Sequence, residues 1–314
     1  KEAWEEQKAV REVMMFLQTY GVTDALCLRL VRKYGNSAKS ILESDPYRII
    51  REVKGIGFKT ADRIALNLGL SNNGPERIEA GILHTVQEAE DQGHNHIDRR
   101  ELVILVANLL ETDSNDVDQR IDALLQSCDL VRSTEDWVQL PTSARAEQTL
   151  ARSLHALLDA KSSLPPIQVE KAITWAQEKA GFGFADGQTE GIRQALLSKV
   201  SILTGGPGTG KTTILRALVS ILKAKKTKIM LGAPTGRAAR RMAESASHFA
   251  QTIHRLLKFD PSQGGFTHNE QSPLTCDFVI MDEASMLDLR LAAALVRAIP
   301  CLLYTSDAAD DRLS

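Results

Sequence analysis

A glycine-rich stretch followed by a lysine and two threonines is the part of this sequence best suited to do chemistry. Its residues are Gly205, Gly206, Pro207, Gly208, Thr209, Gly210, Lys211, Thr212 and Thr213. Glycines let several backbone N–H groups converge on phosphate oxygens without Cβ clashes. The apolar run 200–204 precedes the stretch and a helical apolar pattern follows it, which is the strand–loop–helix context of a phosphate-binding loop. All nine residues are therefore predicted to bind ATP; the alternative is a glycine-rich turn without a ligand.

The roles within this loop follow from its chemistry. Lys211 is predicted to reach the β- and γ-phosphates, and the Thr212 hydroxyl is predicted to be a Mg²⁺ ligand. A second apolar run, residues 278–281, ends in Asp282 and Glu283. At the carboxyl end of a buried strand, Asp282 would hold Mg²⁺ through water and Glu283 would polarise the attacking water. Lys211 and Glu283 are the predicted catalytic residues, with ATP and Mg²⁺ as cofactors; the alternative for the acidic pair is an ordinary surface position.

The elements that must position these residues change character along the chain. Residues 4–70 read as helices with short turns, and residues 77–160 as three helices, a hairpin and a helix, which is the layout of a winged helix. The prolines of the segment 162–168 predict a linker. After it, short apolar runs at 200–204, 228–233 and 276–283 alternate with helical patterns. This alternation predicts a parallel sheet with helices on both faces.

Composition sets limits on the class of protein. The chain has 314 residues, enough for two or three domains, and a net charge of −2. Residues 1–160 carry 19 Lys and Arg against 26 Asp and Glu, whereas residues 161–300 carry 18 against 11, so the second part suits a polyanionic partner. Four distant cysteines argue against structural zinc and a disulfide scaffold. Because no apolar run reaches the length of a membrane span, a soluble, cytoplasmic protein without a membrane partner is expected.

Three segments besides the glycine loop 205–213 are informative, and they are 233–242, 251–257 and 279–288. The four together resemble the RecD-like DNA helicases of superfamily 1. The resemblance implies that Gln188 contacts adenine. It also implies that Thr235, Arg237, Thr252 and His254 lie along a groove for single-stranded DNA, where hydroxyls, amides and arginine suit strand phosphates. The alternatives are a packed or capping histidine at position 254, and a solvated helix face for Arg237, Arg240 and Arg241.

A second glycine turn lies in the first part of the chain. Lys54, Gly55, Gly57 and Lys59 belong to a G-x-G turn between two helical patterns, and residues 29–63 carry nine Lys and Arg against four Asp and Glu. This turn resembles a helix-hairpin-helix motif, whose amides hold a DNA phosphate without reading bases, and residues 20–35 would be its degenerate partner. The alternative is a helix-turn-helix packing unit without DNA.

The resemblance to the longer bacterial RecD-like helicases implies a multidomain protein. An all-α region, with tandem helix-hairpin-helix at 1–70 and a winged-helix-like module at 71–161, would precede a RecA-like P-loop motor lobe at 162–300 with a parallel sheet. Residues 301–314 are interpreted as a non-native tail, and the true start is expected to precede Lys1. The second motor lobe is expected to lie outside this sequence.

The implied activity is ATP-dependent 5′→3′ DNA unwinding in repair or recombination. The predicted partner is single-stranded DNA and its junctions with duplex; no protein partner, such as a single-stranded-DNA-binding protein, is identified. This chain alone is expected to bind nucleotide weakly and to be nearly inactive. The alternatives are a P-loop, DNA-dependent ATPase that does not unwind, and, for this chain alone, a DNA-binding module without activity.

Overall fold

The computed structural model describes residues 11, 13–20, 22–53, 55–160, 164–206, 208–262 and 264–300. The predicted site residues Lys54 and Pro207 and the predicted tail 301–314 lie outside the described residues. The chain divides into two compact units, Lys1–Ala144 and Arg145–Ser314. The finer boundaries expected from the sequence, at 70/71 and 161/162, stay predictions.

The first unit is a set of helices with one small antiparallel sheet. Its helices are α1 (described residues 13–19), α2 (Asp24–Tyr34), α3 (Ala38–Ser44), α4 (Arg48–Glu52), α5 (Phe58–Asn67), α6 (Pro75–Asp91), α7 (Arg99–Leu110) and α8 (Ser114–Gln126). Strands β1 (Ile97–Asp98), β2 (Val131–Arg132) and β3 (Trp137–Gln139) form the sheet in the order β1-β3-β2. The predicted helices and hairpin of this part are confirmed.

One apolar core runs through the whole first unit. It joins side chains of the hairpin helices, such as Leu30 and Ile64, to side chains of the following module, such as Ile82 and Leu102. All four have no exposed surface. The amphipathic pattern of each helix buries one face in this shared core, so residues 13–140 fold as one body.

A buried ion pair crosses this core. Arg77 on α6 donates from Nε to Asp62 Oδ1 at 2.8 Å and from Nη2 to Asp62 Oδ2 at 3.0 Å. Its Nη1 donates to the carbonyl oxygen of Leu110 at 3.0 Å, and the Tyr47 hydroxyl donates to Asp62 Oδ1 at 2.7 Å. The bidentate geometry fixes both partners. It ties the hairpin helix α5 to α6 and to the end of α7.

The second unit is built on a parallel sheet. Its elements are α9 (Pro141–Asp159), which begins in the first unit, α10 (Val169–Ala180), α11 (Asp186–Leu197), α12 (Lys211–Ala224), β4 (Ile229–Ala233), α13 (Gly236–Ala246), β5 (Ala250–Thr252), α14 (Ile253–Leu256), β6 (Phe259–Asp260), β7 (Gly265–Phe266), β8 (Phe278–Met281) and α15 (Leu289–Ala298). Strands β5, β4 and β8 pair in that order, both pairs parallel. The predicted parallel sheet is confirmed.

Helices cover both faces of this sheet, as predicted. Ile229 and Leu231 of β4 pack with Val219 of α12, whereas the intervening Met230 packs with Leu291 of α15. Successive strand residues point to opposite faces, which explains why alternate residues of β4 meet different helices.

The strand predicted at residues 200–204 is wrong in this structure. Residues 200–206 have no assigned strand, and the Ile202 and Leu203 side chains are 88% and 44% exposed. A strand forms only when its backbone groups pair in a ladder, and no described strand pairs with this segment. The apolar run therefore approaches the glycine loop without joining the sheet.

In the part of the chain that the structure describes, no helix is both long enough and apolar enough to cross a bilayer.

Candidate functional site

The glycine loop folds back on itself immediately before α12. Gly208 and Gly210 have φ of +79° and +86°. Residues other than glycine adopt this backbone region at a cost in free energy. A Cβ on Gly205 would lie 2.7 Å from Thr209 Oγ1, and that hydroxyl donates to the Gly206 carbonyl oxygen at 2.9 Å. Glycine is thus required in this loop both for its backbone angles and for the close approach of Thr209.

Lys211 places its ammonium over this loop. It is the first residue of α12, and its Nζ donates to the carbonyl oxygens of Gly205 and, at 2.8 Å, Gly206. The N-cap residue Gly210 has no side chain to cap the helix. The Thr213 amide donates to the Gly210 carbonyl oxygen at 2.9 Å, whereas the Lys211 and Thr212 amides and the positive end of the helix dipole stay available. A cation and a helix N-terminus at one point are a site for an anion such as phosphate.

Gln188 belongs to the same place. It lies in the first turn of α11, where its Oε1 accepts a hydrogen bond from the Ala185 amide at 3.1 Å. Its Nε2 donates to the Thr209 carbonyl oxygen at 3.3 Å. A Cβ on Gly210 would lie only 2.0 Å from that Nε2. The structure therefore brings Gln188 to the loop, and its contact with adenine stays a prediction.

The acidic pair follows β8 directly. The Asp282 amide donates to the Gly232 carbonyl oxygen at 3.0 Å, which extends the ladder with β4 by one residue. Glu283 has φ of +54°, an uncommon backbone conformation for a residue with a side chain. Both residues are exposed at the end of their strand, where their carboxylates can bind ligands.

The donor set fits magnesium. Thr212 is exposed in the first turn of α12, and Asp282 offers a carboxylate; Mg²⁺ takes one or two protein oxygens together with phosphates and waters. Helix α12 and strand β8 also share an apolar cluster, in which Ile214 packs with Phe278 and Ile280. The assignment of Thr212 and Asp282 to one ion remains a prediction.

The predicted groove residues emerge at one edge of the sheet. Ala233 of β4 pairs with Thr252 of β5, and Gly232 pairs with Met281 of β8. Because the strands are parallel, Thr235, Thr252 and Asp282 all follow carboxyl ends at that edge, the usual ligand edge of such a sheet.

Two of these side chains already have structural partners. Thr235 Oγ1 caps α13 by accepting from the Ala238 amide at 3.2 Å, and Thr252 Oγ1 caps α14 by accepting from the Arg255 amide at 3.4 Å. A hydroxyl that accepts one bond keeps its own proton to donate, so capping is compatible with a phosphate contact. Arg237 is exposed one position into α13.

His254 packs against aromatic rings, as expected of the alternative in which it is a packed histidine. Its ring centroid lies 5.9 Å from that of Phe259 and 5.7 Å from that of Phe266. The residue is nevertheless exposed, so the ring is held in place while part of it faces solvent. Arg240 and Arg241 are also exposed, as their solvated alternative expects.

The front hairpin lies between α4 and α5. Gly55 has φ of +84°, Ile56 is buried and anchors the turn, and Gly57 is the N-cap of α5 without a capping side chain. Lys59 is exposed in the first helical turn. Sequence reasoning missed Arg29, whose Nη1 would lie 2.5 Å from a Cβ on Gly55. The position of Arg29 in the basic segment 29–63 was the feature of the sequence that could have indicated it.

Comparisons with known proteins find one matching family in each part of the chain. Residues 6–96 match the family described as the ATP-dependent RecD2 DNA helicase HHH domain, and residues 188–304 match the family described as the AAA domain. The ATP-dependent RecD2 DNA helicase of Deinococcus radiodurans is 32% identical over 317 residues, which cover 95% of this chain and 43% of that protein. The resemblance to the RecD-like helicases is confirmed.

Other RecD-like relatives match shorter parts of the chain. The RecBCD enzyme subunit RecD of Haemophilus influenzae is 35% identical over 156 residues, 42% of this chain and 24% of the subunit. The RecD subunit of Mycobacterium tuberculosis is 34% identical over 137 residues, 36% of this chain and 24% of the subunit. The chain thus spans less than half the length of these RecD-like relatives.

Proposed function

We propose that this chain is the DNA-loading region and first motor lobe of an ATP-dependent DNA helicase that moves 5′→3′ on single-stranded DNA, in the cytoplasm, during repair or recombination. One observation carries the proposal: three features meet at one glycine loop. They are the Lys211 ammonium, the uncapped start of α12 and the side-chain amide of Gln188. Direction and pathway come from the RecD-like resemblance.

The nucleotide is held by residues with separate tasks. The loop amides and Lys211 bind the phosphates, and Gln188 orients the adenine by hydrogen bonding. Thr212 and Asp282 would hold Mg²⁺, which supplies charge neutralisation on the phosphates. Glu283 orients water for attack on the γ-phosphate and takes up its proton. Removing any of the phosphate-binding groups should therefore weaken nucleotide binding more than it weakens DNA binding.

The DNA contacts lie in two regions. At the carboxyl edge of the sheet, Thr235, Arg237, Thr252 and His254 contact strand phosphates, and the grip changes with the state of the nucleotide. In the first unit, the hairpin of Lys54, Gly55, Gly57 and Lys59 binds duplex or junction backbone without reading sequence. Phosphate contacts of this kind give affinity that falls with salt.

A coupled ATPase assay with added single-stranded DNA tests the motor proposal. This chain alone should turn over slowly, because the closing lobe and any arginine finger are expected outside it, and such a finger contributes about 10³–10⁵ in rate. Strong DNA-stimulated turnover by the isolated chain would contradict the two-lobe mechanism.

Strand displacement by the longer parent protein separates the helicase from a non-unwinding ATPase. The proposal expects unwinding of substrates with a 5′ single-stranded tail, abolished by Glu283→Gln. ATP turnover without displacement would favour the ATPase. DNA binding that survives Lys211→Ala but falls on charge reversal at Lys54 and Lys59, in a parent without turnover, would favour a binding module.

A further inference from the structure

A cavity of about 640 Å³ lies beside β5 in the second unit. Its lining consists of Phe249, Gln251, His254, Arg255, Lys258 and Phe259. The volume falls within the range of about 300–1,000 Å³ that small organic ligands occupy. We refer to it as the Phe249 cavity. None of its lining residues except His254 has a role in the function described above.

Its aromatic side chains are unusually exposed for their size. The exposed fraction is 74% for Phe249 and 44% for Phe259. Phe259 is fixed in place by edge contact with Phe266, at 5.3 Å between ring centroids, and with His254. A large apolar surface held rigid in contact with water is a signature of a binding surface. Flat rings of this kind offer stacking faces to another flat ring.

The charged residues of the lining are all basic. Arg255 and Lys258 are exposed, and among the described residues no carboxylate lines the cavity. Lys258 has φ of +52°, which directs this part of the chain out of helix α14 and into β6. A cation beside an aromatic face suits a ligand that combines a flat base with a phosphate. An apolar protein segment would leave both cations without partners.

The cavity shares His254 with the predicted groove residues. Thr252, the last residue of β5, lies two positions before His254 and directly after Gln251, which also lines the cavity. A strand that contacts His254 would therefore pass the cavity.

We propose that the Phe249 cavity binds one nucleobase of single-stranded DNA, stacked on Phe249 and Phe259, with the adjoining phosphate at Arg255 and Lys258. This inference rests on the proposed function only for the passage of a strand along this edge of the sheet. It adds a sequence-tolerant base contact to a site otherwise made of phosphate contacts.

The test is fluorescence anisotropy of the complete chain with a labelled oligo-dT strand of about 15 nucleotides, without ATP. Phe249→Ala should weaken binding by about five- to a hundred-fold, the range seen when a base-stacking aromatic is removed. Phe249→Leu, which keeps an apolar side chain without a ring face, should also lose affinity. Phe182→Ala is the matched control, because Phe182 is 53% exposed in the same unit and lies outside the cavity, and it should bind like wild type.

An abasic strand of the same length separates base from backbone. Wild type and Phe249→Ala should bind it equally, since neither can stack on a missing base. Lys258→Ala should weaken both strands and reduce the salt dependence of binding by about one phosphate.

The inference is overturned if Phe249→Ala binds oligo-dT like wild type, or if it loses as much affinity for the abasic strand as for oligo-dT. The first result would leave a protein segment as the occupant of the cavity. Failure of the proposed function has a different signature: the wild-type chain would bind no strand, or Lys211→Ala would bind ATP unchanged.

Discussion

The two compact units of this chain differ in how their elements obtain partners. In the first unit, short turns join consecutive helices, one core holds residues 13–140 together, and the small sheet pairs Ile97 of β1 with Val138 of β3. In the second unit, β4 pairs with β8, almost fifty residues away, and the apolar run 200–204 has no described strand beside it. Helix packing around one core completes the first unit, whereas the second unit is built on a parallel sheet that joins distant segments.

The largest effect should come from the ion pair that holds the first unit together. Arg77→Met leaves the Asp62 carboxylate without its bidentate partner in a site where the two side chains are 10% and 13% exposed. Breaking such a pair costs about 3–5 kcal/mol. Denaturant unfolding of the whole chain should show an early transition of the first unit only.

The matched control for this variant is Arg48→Ala. Arg48 also bonds a carboxylate, that of Glu52, but their side chains are 48% and 31% exposed. A much smaller loss than for Arg77→Met is expected, because solvent screens an exposed ion pair. Equal losses for Arg77→Met and Arg48→Ala would show that the buried pair does not hold the unit together.

Substitutions of two isoleucines compare the apolar core of the second unit with the apolar run 200–204, which has no described strand beside it. Ile192 is fully buried on α11, and Ile192→Ala should cost about 2–5 kcal/mol. Ile202, in the same unit, is 88% exposed, so Ile202→Ala should change the free energy of unfolding by no more than about 0.5 kcal/mol. Thermal melting of the two variants measures both. A loss above about 2 kcal/mol for Ile202→Ala would mean that residues 200–204 are a buried strand after all.

The difference between local and distant contacts explains which parts of the fold and the site could be predicted from the sequence. Helix periodicity and the loop's residue types predicted α12 and the placement of Lys211, because those signals lie within a few residues. The alternation of strand and helix patterns predicted the parallel sheet, and the placement of Gln188 came from the family resemblance. The strand at 200–204 was predicted from its apolar residues alone, and apolarity carries no information about which strand is beside it. The Arg77–Asp62 pair depends on packing between segments, and the Phe249 cavity depends on how the chain turns between β5 and β6. One sequence gives no signal for either.

The two glycine turns offer a smaller comparison. Gly55 and Gly210 both have positive φ, and in each case a Cβ would collide with a polar side chain, Arg29 or Gln188. Gly55→Ala should cost the first unit about 1–2 kcal/mol, because it combines a left-handed backbone with a clash. Gly57→Ala is the control in the same hairpin: its φ is −94° and a Cβ would meet nothing within 4 Å, so its melting temperature should match wild type. Equal melting of both variants would contradict the role assigned to Gly55.

The smallest effect concerns pH. Hydrogen bonding from Arg99 lowers the pKa of Asp122 below its usual 3.8, so the ion pair contributes stability above about that pH and loses it as the pH falls further. Because Asp122 is half exposed, Asp122→Asn should cost less than about 1 kcal/mol at pH 7. The difference from wild type should shrink when unfolding is measured near pH 3. A difference that grew on acidification would contradict this assignment.

Equilibrium binding of ATP·Mg²⁺ to the chain, by calorimetry, tests the central claim that Lys211, the start of α12 and Gln188 form one nucleotide site. Lys211→Ala should weaken binding by about ten- to a hundred-fold, the worth of a charge-assisted hydrogen bond. Lys225→Ala, at the opposite end of the same helix, should bind like wild type. Unchanged affinity in Lys211→Ala, or equal losses in the two lysine variants, would contradict the account.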